Sequence, residues 1–273
     1  MMFTVLGASG FIGSHLVRTL RGQGHDVYAP PRDDGAMFEK PLGHVFYCIG
    51  MTADYGARPY DTVEAHVGLL SRVLRDARFE SLLYLSSTRL YDGCTGVCDE
   101  ATNLILNPAN PRHLFDLSKG LGESLCHASG KPNVRIARLA SVYSDELDAD
   151  NFLHGLIKSA LRQKAMTVAA LPNAARDYIH MDDACRLFRE IAVRGKRPTY
   201  NVASGENVTN ERLFAAIEKL TGTHITCGTA ESDLSFPLIC IDAIEADFGI
   251  RPAPLENHLQ RMLSGVIKRR AAS

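Results

Sequence analysis

The stretch VLGASGFIG, residues 5–13, joins an apolar strand-like run to a helical pattern. Glycine at Gly7, Gly10 and Gly13 lets backbone amides approach a pyrophosphate, and the start of the helix adds partial positive charge. Tight turns also need glycine, so the triplet alone is a weak signal. Its position at the first strand-to-helix junction strengthens the prediction of a dinucleotide site. The residues predicted to line that site here are Gly7, Ser9, Gly10, Phe11, Ile12 and Gly13.

Apolar runs alternate with helical patterns in the sequence that follows. HVFYCIG at 44–50 and LLYLSS at 82–87 are largely apolar, whereas 60–77 carries one apolar stripe at helical spacing. Strands that are apolar on both faces and separated by helices are typical of a parallel sheet covered on both sides. The sequence therefore predicts an α/β protein with a Rossmann-type, doubly wound parallel sheet.

The alternation loosens after residue 145. Pro172, a second strand-like run (TYNVAS) and a helix opened by Thr209 indicate a smaller C-terminal lobe interleaved with the end of the sheet. We predict that residues 1–145 and 176–204 form a dinucleotide-binding domain. Residues 146–175 and 205–273 are predicted to form a smaller substrate-binding lobe.

Composition excludes several classes of partner. The 30 Lys and Arg residues balance 31 Asp and Glu, so no general field attracts nucleic acid or an anionic membrane. No apolar run approaches the length of a membrane span. The seven cysteines are an odd, scattered set, which fits reduced thiols and a cytoplasmic location. Cys94 and Cys98 have no second Cys/His pair at zinc-site spacing, so we expect no metal site.

Two further motifs, YLSSTRLY at 84–91 and ARDYIHMDDA at 175–184, complete a recognisable set. With the glycine spacing, they make the chain resemble the extended short-chain dehydrogenase/reductases, the NAD(P)-dependent nucleotide-sugar epimerase/dehydratase family. The resemblance runs nearly end to end, and YNVASGENVTNERLFAAIEKLTG at 200–222 is similar to a closing segment of the family. It implies an NAD(P) cofactor and a nucleotide-sugar substrate.

The resemblance implies roles for individual residues. Ser87, with Thr88 as a substitute, takes the position that hydrogen-bonds the reacting hydroxyl, and Lys119 the position that binds nicotinamide ribose. Arg176 and Ser141 take positions that contact the substrate diphosphate. Each has a structural alternative: the serines may be ordinary strand-end hydroxyls, and Arg176 may pair with the neighbouring Asp177 or Asp182.

One position departs from the family at the catalytic centre. The Tyr-x-x-x-Lys motif of the family requires a phenol one helical turn before Lys119, and HLFDLSKGLGESL at 113–125 places Phe115 there. No tyrosine in the chain has a lysine four residues later. The group that moves the hydroxyl proton is therefore missing. The candidates for a replacement are His113, Asp116, Tyr91, Cys94 and Cys98.

The segment after the second predicted strand is also unusual. Few residues separate it from the next apolar run, so the additional strand and the adenine contact of the family are missing. Pro31 stands where an NAD-preferring member carries an acid, and Arg32 follows where a cation could meet a 2′-phosphate. This mildly favours NADP. His66 replaces the asparagine common in the family, and we expect a hydrogen-bonded structural histidine.

Three functional interpretations follow. The first is an enzyme acting on a nucleotide sugar in which another group replaces the phenol. The second is a catalytically weak or inactive NAD(P)-binding sensor or partner protein, and the third is an atypical reductase of a small non-nucleotide substrate. The resemblance further implies a homodimer formed through the helices predicted at 60–77 and 112–128.

Overall fold

The structure is a computed structural model that describes residues 1–32, 34–229 and 236–271. Its helices are α1 Phe11–Gly22, α2 Pro59–Val63, α3 Leu69–Asp76, α4 His113–Ala128, α5 Phe152–Ala160, α6 Met181–Arg194, α7 Asn210–Thr221, α8 Asp242–Phe248 and α9 Leu255–Ala271. Its strands are β1 Met2–Leu6, β2 Asp26–Tyr28, β3 His44–Tyr47, β4 Ser81–Ser87, β5 Val97–Cys98, β6 Val134–Leu139, β7 Ser141–Tyr143, β8 Ala165–Ala169, β9 Ala175–His180, β10 Thr199–Val202, β11 Asn207–Thr209, β12 His224–Gly228 and β13 Leu238–Ile239.

A six-stranded parallel sheet forms the centre of the molecule, in the order β10-β6-β4-β3-β1-β2. The order reverses direction between β1 and β3, which is the place where doubly wound sheets bind ligands. Helices α1 and α6 contact each other, as do α3 and α4; α6 and α4 both contact β4. The predicted Rossmann-type doubly wound sheet is confirmed.

The sheet strands are apolar on both faces because helices cover both. All of β4 is buried except its last residue, Ser87, which is partly exposed at the carboxyl end of the strand. The β4 register with β6 runs from Leu82 opposite Val134 to Ser87 opposite Leu139. Burial of these apolar side chains on both faces is the main stabilising contribution to this layer.

The sheet ends at β2, which has only three residues. Among the described residues between β2 and β3 there is no further strand, and a short 3₁₀ turn, Gly35–Phe38, takes its place. The carboxylate of Asp34 accepts the Ala36 N–H at the start of this turn. The edge that the sequence predicts to be shortened is therefore short in the described residues.

A second apolar core lies outside the large sheet. It joins α5, α7 and α9 to the strand β9, through buried residues that include Ile157, Phe214, Leu259 and Tyr178. Strand β9 lies between β7 and β11, while β8 pairs with β12. Strand β10, between residues 176 and 204, pairs with β6 of the large sheet. The division of the chain into two domains stays our prediction.

The helix predicted over 60–77 is interrupted. Between α2 and α3, Glu64–Gly68 forms one π-helical turn. Such a turn inserts an extra residue into the helical register and re-aims the side chains around it. His66 lies in this turn and is fully buried. Its ring has polar partners on both nitrogen atoms, Met51 N–H and the Ser118 hydroxyl.

Candidate functional site

The glycine-rich turn between β1 and α1 depends on close backbone approach. Gly7 has a φ of 85°, and a Cβ there would lie 2.9 Å from the carbonyl carbon of Cys48. A Cβ on Gly13 would lie 2.2 Å from the Gly7 carbonyl oxygen, so only glycine fits this backbone. The Gly10 N–H donates to the same oxygen over 3.1 Å and closes the turn.

The start of α1 is open at this turn. Gly10 is the N-cap residue and provides no side-chain cap, while Ser9 and Gly10 are exposed and Phe11 and Ile12 are partly exposed. Uncapped N–H groups at a helix start, with the positive end of the helix dipole, suit an anionic group. The residues present therefore fit a dinucleotide pyrophosphate.

The opposite end of the predicted cofactor site follows β2. Arg32 is exposed there. Tyr28 donates a 2.5 Å hydrogen bond to Asp34, and the Lys40 ammonium lies 3.4 Å from the centre of the Tyr28 ring. The edge strand is thus followed by two cationic side chains, Arg32 and Lys40. Positions 29–32 contain no acidic residue.

One cavity of about 400 Å³ opens beyond the carboxyl ends of β4 and β6. It brings together five residues that the sequence assigned to the substrate side, although they are far apart in the chain: Ser87, Thr88, Phe115, Ser141 and Arg176. Parallel strands end at the same edge of a sheet, which explains why Ser87, at the end of β4, lies near Ser141, which follows β6. Phe115 reaches the cavity from α4, and Arg176 from the start of β9 in the smaller sheet. Lys119 does not line this cavity.

The two hydroxyl groups at the end of β4 are held by backbone partners. Ser87 Oγ accepts the Arg89 N–H over 3.1 Å, capping a short 3₁₀ turn. Thr88 Oγ1 donates to the carbonyl of Leu139 over 3.4 Å. Because Ser87 accepts in this bond, its own hydroxyl hydrogen has no role in the cap and can be donated into the cavity.

Phe115 is 4% exposed and packs in a cluster of rings. Its ring centre lies 5.3 Å from that of His66, edge to face, and 5.6 Å from that of Tyr55. The guanidinium carbon of Arg89 lies 4.9 Å from the centre of the Phe115 ring. The position one helical turn before Lys119 is therefore occupied by a ring that contacts a cation.

Lys119 lies one turn further along α4 and is buried. Its Nζ donates to the Leu85 carbonyl over 2.8 Å, and a Cβ built on Gly50 would lie 3.3 Å from Nζ. Burial lowers the pKa of Lys119 to about 8, so the ammonium still predominates at neutral pH. The Gly50 backbone lies at the carboxyl side of β3, next to the point where the sheet order reverses.

His66 fixes the loop beside Lys119. One ring nitrogen, Nε2, accepts the Met51 N–H over 3.1 Å, and Nδ1 donates to Ser118 Oγ over 2.7 Å. Ser118 in turn donates to the Phe115 carbonyl over 2.9 Å. Burial, and then the Lys119 charge, lower the pKa of His66 to about 3. The predicted structural histidine is thus a neutral bridge between the loop and α4.

Arg176 and its neighbours do not form the simple pair considered from the sequence. Asp177 accepts N–H groups of Ser204, Gly205 and Glu206, and no acid among the described residues forms an ion pair with Arg176. The guanidinium lies 5.1 Å from the centre of the Phe152 ring at the cavity wall. It is free to bind an anion.

None of the five candidate replacements for the phenol lines the cavity. Tyr91 is fully buried and donates to the Asp99 carbonyl, while accepting from Arg138. Cys98 is buried in the core, and Cys94 packs against it. These three side chains are therefore engaged in contacts outside the cavity lining.

The remaining two candidates are also engaged. His113 Nδ1 accepts the Asn107 N–H over 2.9 Å. Asp116 is 1% exposed and pairs with Arg89, Nε to Oδ1, over 3.0 Å. The sequence did not identify Arg89, Arg112, Thr52 or Asn151 as cavity residues, although all four line it. The position of Arg89, two residues beyond Ser87, was the signal that could have identified one of them.

Comparison with known proteins now identifies the family. The sequence profile described as the NAD dependent epimerase/dehydratase family matches residues 3–203. The chain belongs to this family. The predicted resemblance is therefore confirmed at the level of the family.

Individual family members are distant. The chain is 25% identical over 273 residues to an uncharacterised UDP-glucose epimerase of Bacillus subtilis, YtcB, covering 83% of this chain and 84% of the relative. It is 23% identical over 262 residues to dTDP-4-dehydro-6-deoxy-D-allose reductase of Streptomyces bikiniensis, covering 80% of each.

Solved structures agree in fold. MoeE5 in complex with UDP-glucose and NAD superposes with a TM-score of 0.84 at 21% identity, over 100% of both chains. UDP-glucuronic acid 4-epimerase of Bacillus cereus gives 0.82 at 20% identity, over 98% of this chain and 99% of that one. In addition, no described helix is long and apolar enough to cross a bilayer.

Proposed function

We propose that this protein binds NAD(P) and a nucleotide sugar and supports hydride transfer at the sugar ring. One observation carries the proposal: the cavity joins Ser87, Ser141 and Arg176, and the Lys119 ammonium bonds the carbonyl of Leu85, two residues before Ser87 on β4. The bound cofactor would accept or deliver the hydride. The relatives named for nucleotide-sugar reactions support the assignment of the substrate class.

Different residues of this chain would then bind the substrate and the cofactor. Arg176 supplies a cationic fork for the diphosphate, and Ser141 lies at the same cavity. Ser87 donates a hydrogen bond to the reacting sugar oxygen, because the single hydroxyl hydrogen of Thr88 is donated to the Leu139 carbonyl. The Lys119 ammonium holds ribose hydroxyl groups of the cofactor. Phe115 leaves the site without the phenol of the family, which makes this active site atypical.

The test of this proposal is ligand binding. Mass spectrometry of small molecules released from the denatured protein should show a nicotinamide dinucleotide, and a sugar nucleotide beside it. Gly10→Asp should abolish NADPH binding through bulk and negative charge. Arg176→Met should weaken a UDP-sugar by roughly 10- to 100-fold, as expected for a charge-assisted contact, and leave NADPH binding unchanged. Failure of both cofactors to bind at millimolar concentration would reject the proposal.

We also propose a preference for NADP, based on Arg32 beyond the edge strand β2. Arg32→Ala should weaken NADPH binding by about 1 to 3 kcal/mol and leave NADH binding nearly unchanged. Fluorescence titration with each cofactor measures both values. Equal losses for the two cofactors would show that Arg32 does not contact a 2′-phosphate.

A further inference from the structure

Two thiols lie in contact just beyond the short 3₁₀ turn that follows β4. Cys94 and Cys98 belong to the stretch YDGCTGVC, residues 91–98, and their side chains are hydrogen-bonded to each other. Cys98 is buried in the apolar core, whereas Cys94 packs against the same core and stays partly exposed. The pair therefore has one thiol that solvent reaches and one that it does not.

The backbone between the two cysteines suits a close approach of their side chains. Gly93 and Gly96 have φ values of 81° and 77°, a region that other residues rarely adopt. The Cys94 N–H donates to the Tyr91 carbonyl over 3.0 Å and turns the chain back. A Cβ added at Gly96 would meet no atom within 4 Å, so the turn has room to adjust.

Cys98 is held in place by a neighbouring strand. Strand β5 pairs in parallel with β13, which places Cys98 opposite Ile239, and the Cys240 N–H donates to the Cys98 carbonyl over 2.8 Å. Successive side chains of an extended segment alternate between its two faces. Cys240 therefore points away from the face that Cys98 shares with Ile239, and Cys94 is the thiol that Cys98 contacts.

The turn that carries Cys94 is tied to the wall of the cavity. The Asp92 N–H donates to the Arg89 carbonyl over 2.9 Å, and the Asp92 carboxylate pairs with Arg112 over 3.3 Å. Arg89 and Arg112 both line the cavity. A covalent bond would bring the two sulfur atoms closer than a hydrogen bond does. Because β13 holds Cys98, the Cys94 side of the turn would make this movement.

We infer that Cys94 and Cys98 form a reversible disulfide when the protein meets a peroxide, and that this bridge restrains the segment 88–98 at the cavity wall. The peroxide transfers one oxygen atom to the exposed Cys94 thiol, which becomes a sulfenic acid, and one water is released. The Cys98 sulfur then bonds to the Cys94 sulfur, and the sulfenic oxygen leaves as a second water with the Cys98 proton. Two thiols are oxidised to one disulfide, and the peroxide is reduced to two waters.

The order of these steps follows from exposure. The thiolate is the reactive form of cysteine, and burial, followed by the contact with Cys94, raises the pKa of Cys98. An oxidant from solvent therefore reacts with Cys94 first. Cys98 serves as the second thiol because it already lies against the sulfur that becomes oxidised.

Mass spectrometry tests the bridge directly. The protein is equilibrated with hydrogen peroxide in small excess, its free thiols are blocked with N-ethylmaleimide, and trypsin then releases the peptide 90–112, which contains both cysteines and no other. This peptide should be two hydrogen atoms lighter and carry no blocking group, and dithiothreitol should restore both thiols. Two blocked thiols after oxidation would overturn the inference.

The diagnostic variant is Cys94→Ser, because Cys94 is partly exposed and circular dichroism should show an intact fold. After the same treatment, this variant should retain Cys98 as a free thiol. Cys240→Ser is the matched control and should still form the bridge. A disulfide between Cys98 and Cys240, or oxidation of Cys94 to a sulfinic acid while Cys98 stays free, would also overturn the inference.

Hydrogen exchange tests the restraint on the cavity wall. Amide exchange in the segment 88–98 should slow about 3-fold or more on oxidation, because the bridge suppresses local opening of the turn. The segment 224–228, which contains the exposed Cys227 on β12, is the control and should not change. Equal exchange of 88–98 in the reduced and oxidised proteins would overturn the restraint. Neither measurement requires a bound ligand, so both outcomes are independent of the proposed function.

Discussion

At the scale of single residues, Phe115 is the position at which we propose that the site lacks a phenol able to take a proton from an alcohol. Its ring lies beside Arg89 and is 4% exposed, so a para hydroxyl would stand close to a cation. Phe115→Tyr should therefore raise the rate of oxidation of a nucleotide-sugar alcohol at least about 10-fold, below the roughly 10² to 10⁴ that a well-placed general base commonly contributes. The readout is absorbance of the reduced nicotinamide, with deuterium at the reacting carbon to identify the transferred hydrogen.

A control for this prediction adds the same hydroxyl elsewhere in the cavity. Phe152 lines it near Arg176, and Phe152→Tyr should give no gain in oxidation. If Phe115→Tyr also gives no gain with an authentic substrate, the site differs from the family in more than one ring, and Lys119 serves cofactor binding alone.

His66 should make stability depend on pH. Burial and the Lys119 charge lower its pKa to about 3, from 6.5 in the unfolded chain. Since the unfolded chain takes up the proton first, stability from neutral His66 is present above about pH 6.5 and falls as pH drops toward 3, by at most about 1.4 kcal/mol per unit.

Urea unfolding at pH 7.5 and pH 5.0 measures this effect. Over that interval, the loss of stability in His66→Asn should be smaller than in the wild type by about 2 kcal/mol, because asparagine has no proton to take up. The same loss in both proteins would show that other groups cause the pH dependence.

The residues of the site were only partly predictable from sequence. Ser87, Ser141 and Arg176 were predicted from the resemblance to the family, and the structure brings all three to one cavity. Arg89 was not, because its orientation at the cavity wall depends on three distant partners: Asp116, Tyr55 and the Arg112 carbonyl. No local spacing in the sequence relates these positions.

At the scale of elements, the β1–α1 turn offers a paired test on one helix. Gly13 lies in the first turn of α1, where an added Cβ would be 2.2 Å from the Gly7 carbonyl oxygen. Gly22 is the last residue of the same helix, and an added Cβ there would have no atom within 4 Å. Gly13→Ala should lower the free energy of unfolding by roughly 2 kcal/mol or more and abolish NADPH binding, since the backbone must shift. Gly22→Ala should be neutral or stabilise by up to about 1 kcal/mol. Denaturant titration measures the free energy of unfolding of each variant, and cofactor fluorescence measures its NADPH binding. Equal effects of the two substitutions would contradict the close approach of Gly13 to the Gly7 carbonyl oxygen.

Element boundaries show where sequence reasoning fails. The strands of the large sheet were predicted because their apolar runs have no helical period, and α1 because its stripe does. The helix over 60–77 was predicted as continuous, but it contains the π turn Glu64–Gly68. From this turn His66 accepts the hydrogen bond of Met51 N–H, a tertiary contact that no periodicity in the segment reveals.

At the scale of the whole molecule, the short edge of the sheet places the adenine end of the proposed cofactor site near solvent. Strand β2 has only three residues, and the described part of the chain has no strand beyond it in the sheet. Arg32, which follows β2, is exposed. A cation near solvent is screened by salt, because the Debye length is about 8 Å at physiological ionic strength. The contribution of Arg32 to NADPH binding should therefore fall between 0.05 and 0.5 M salt, and in Arg32→Ala the salt dependence should be weaker; parallel dependence in both proteins would contradict this.

The last prediction concerns self-association. We expect a homodimer through α2, α3 and α4, because α2 and α4 contact each other and carry exposed apolar side chains: Tyr60 is 88% exposed, Val63 41% and Leu121 51%. On α4, Leu125 packs against the core of the chain's own sheet, whereas Leu121, one turn earlier, is exposed. Light scattering at micromolar concentration should show twice the chain mass, and Leu121→Glu should yield monomer by placing a charge in the apolar contact.

Val97→Glu is the control, since Val97 is 62% exposed on β5, outside these helices. A monomeric wild type, or equal dissociation in both variants, would place the apolar residues of α2 and α4 outside any interface between copies.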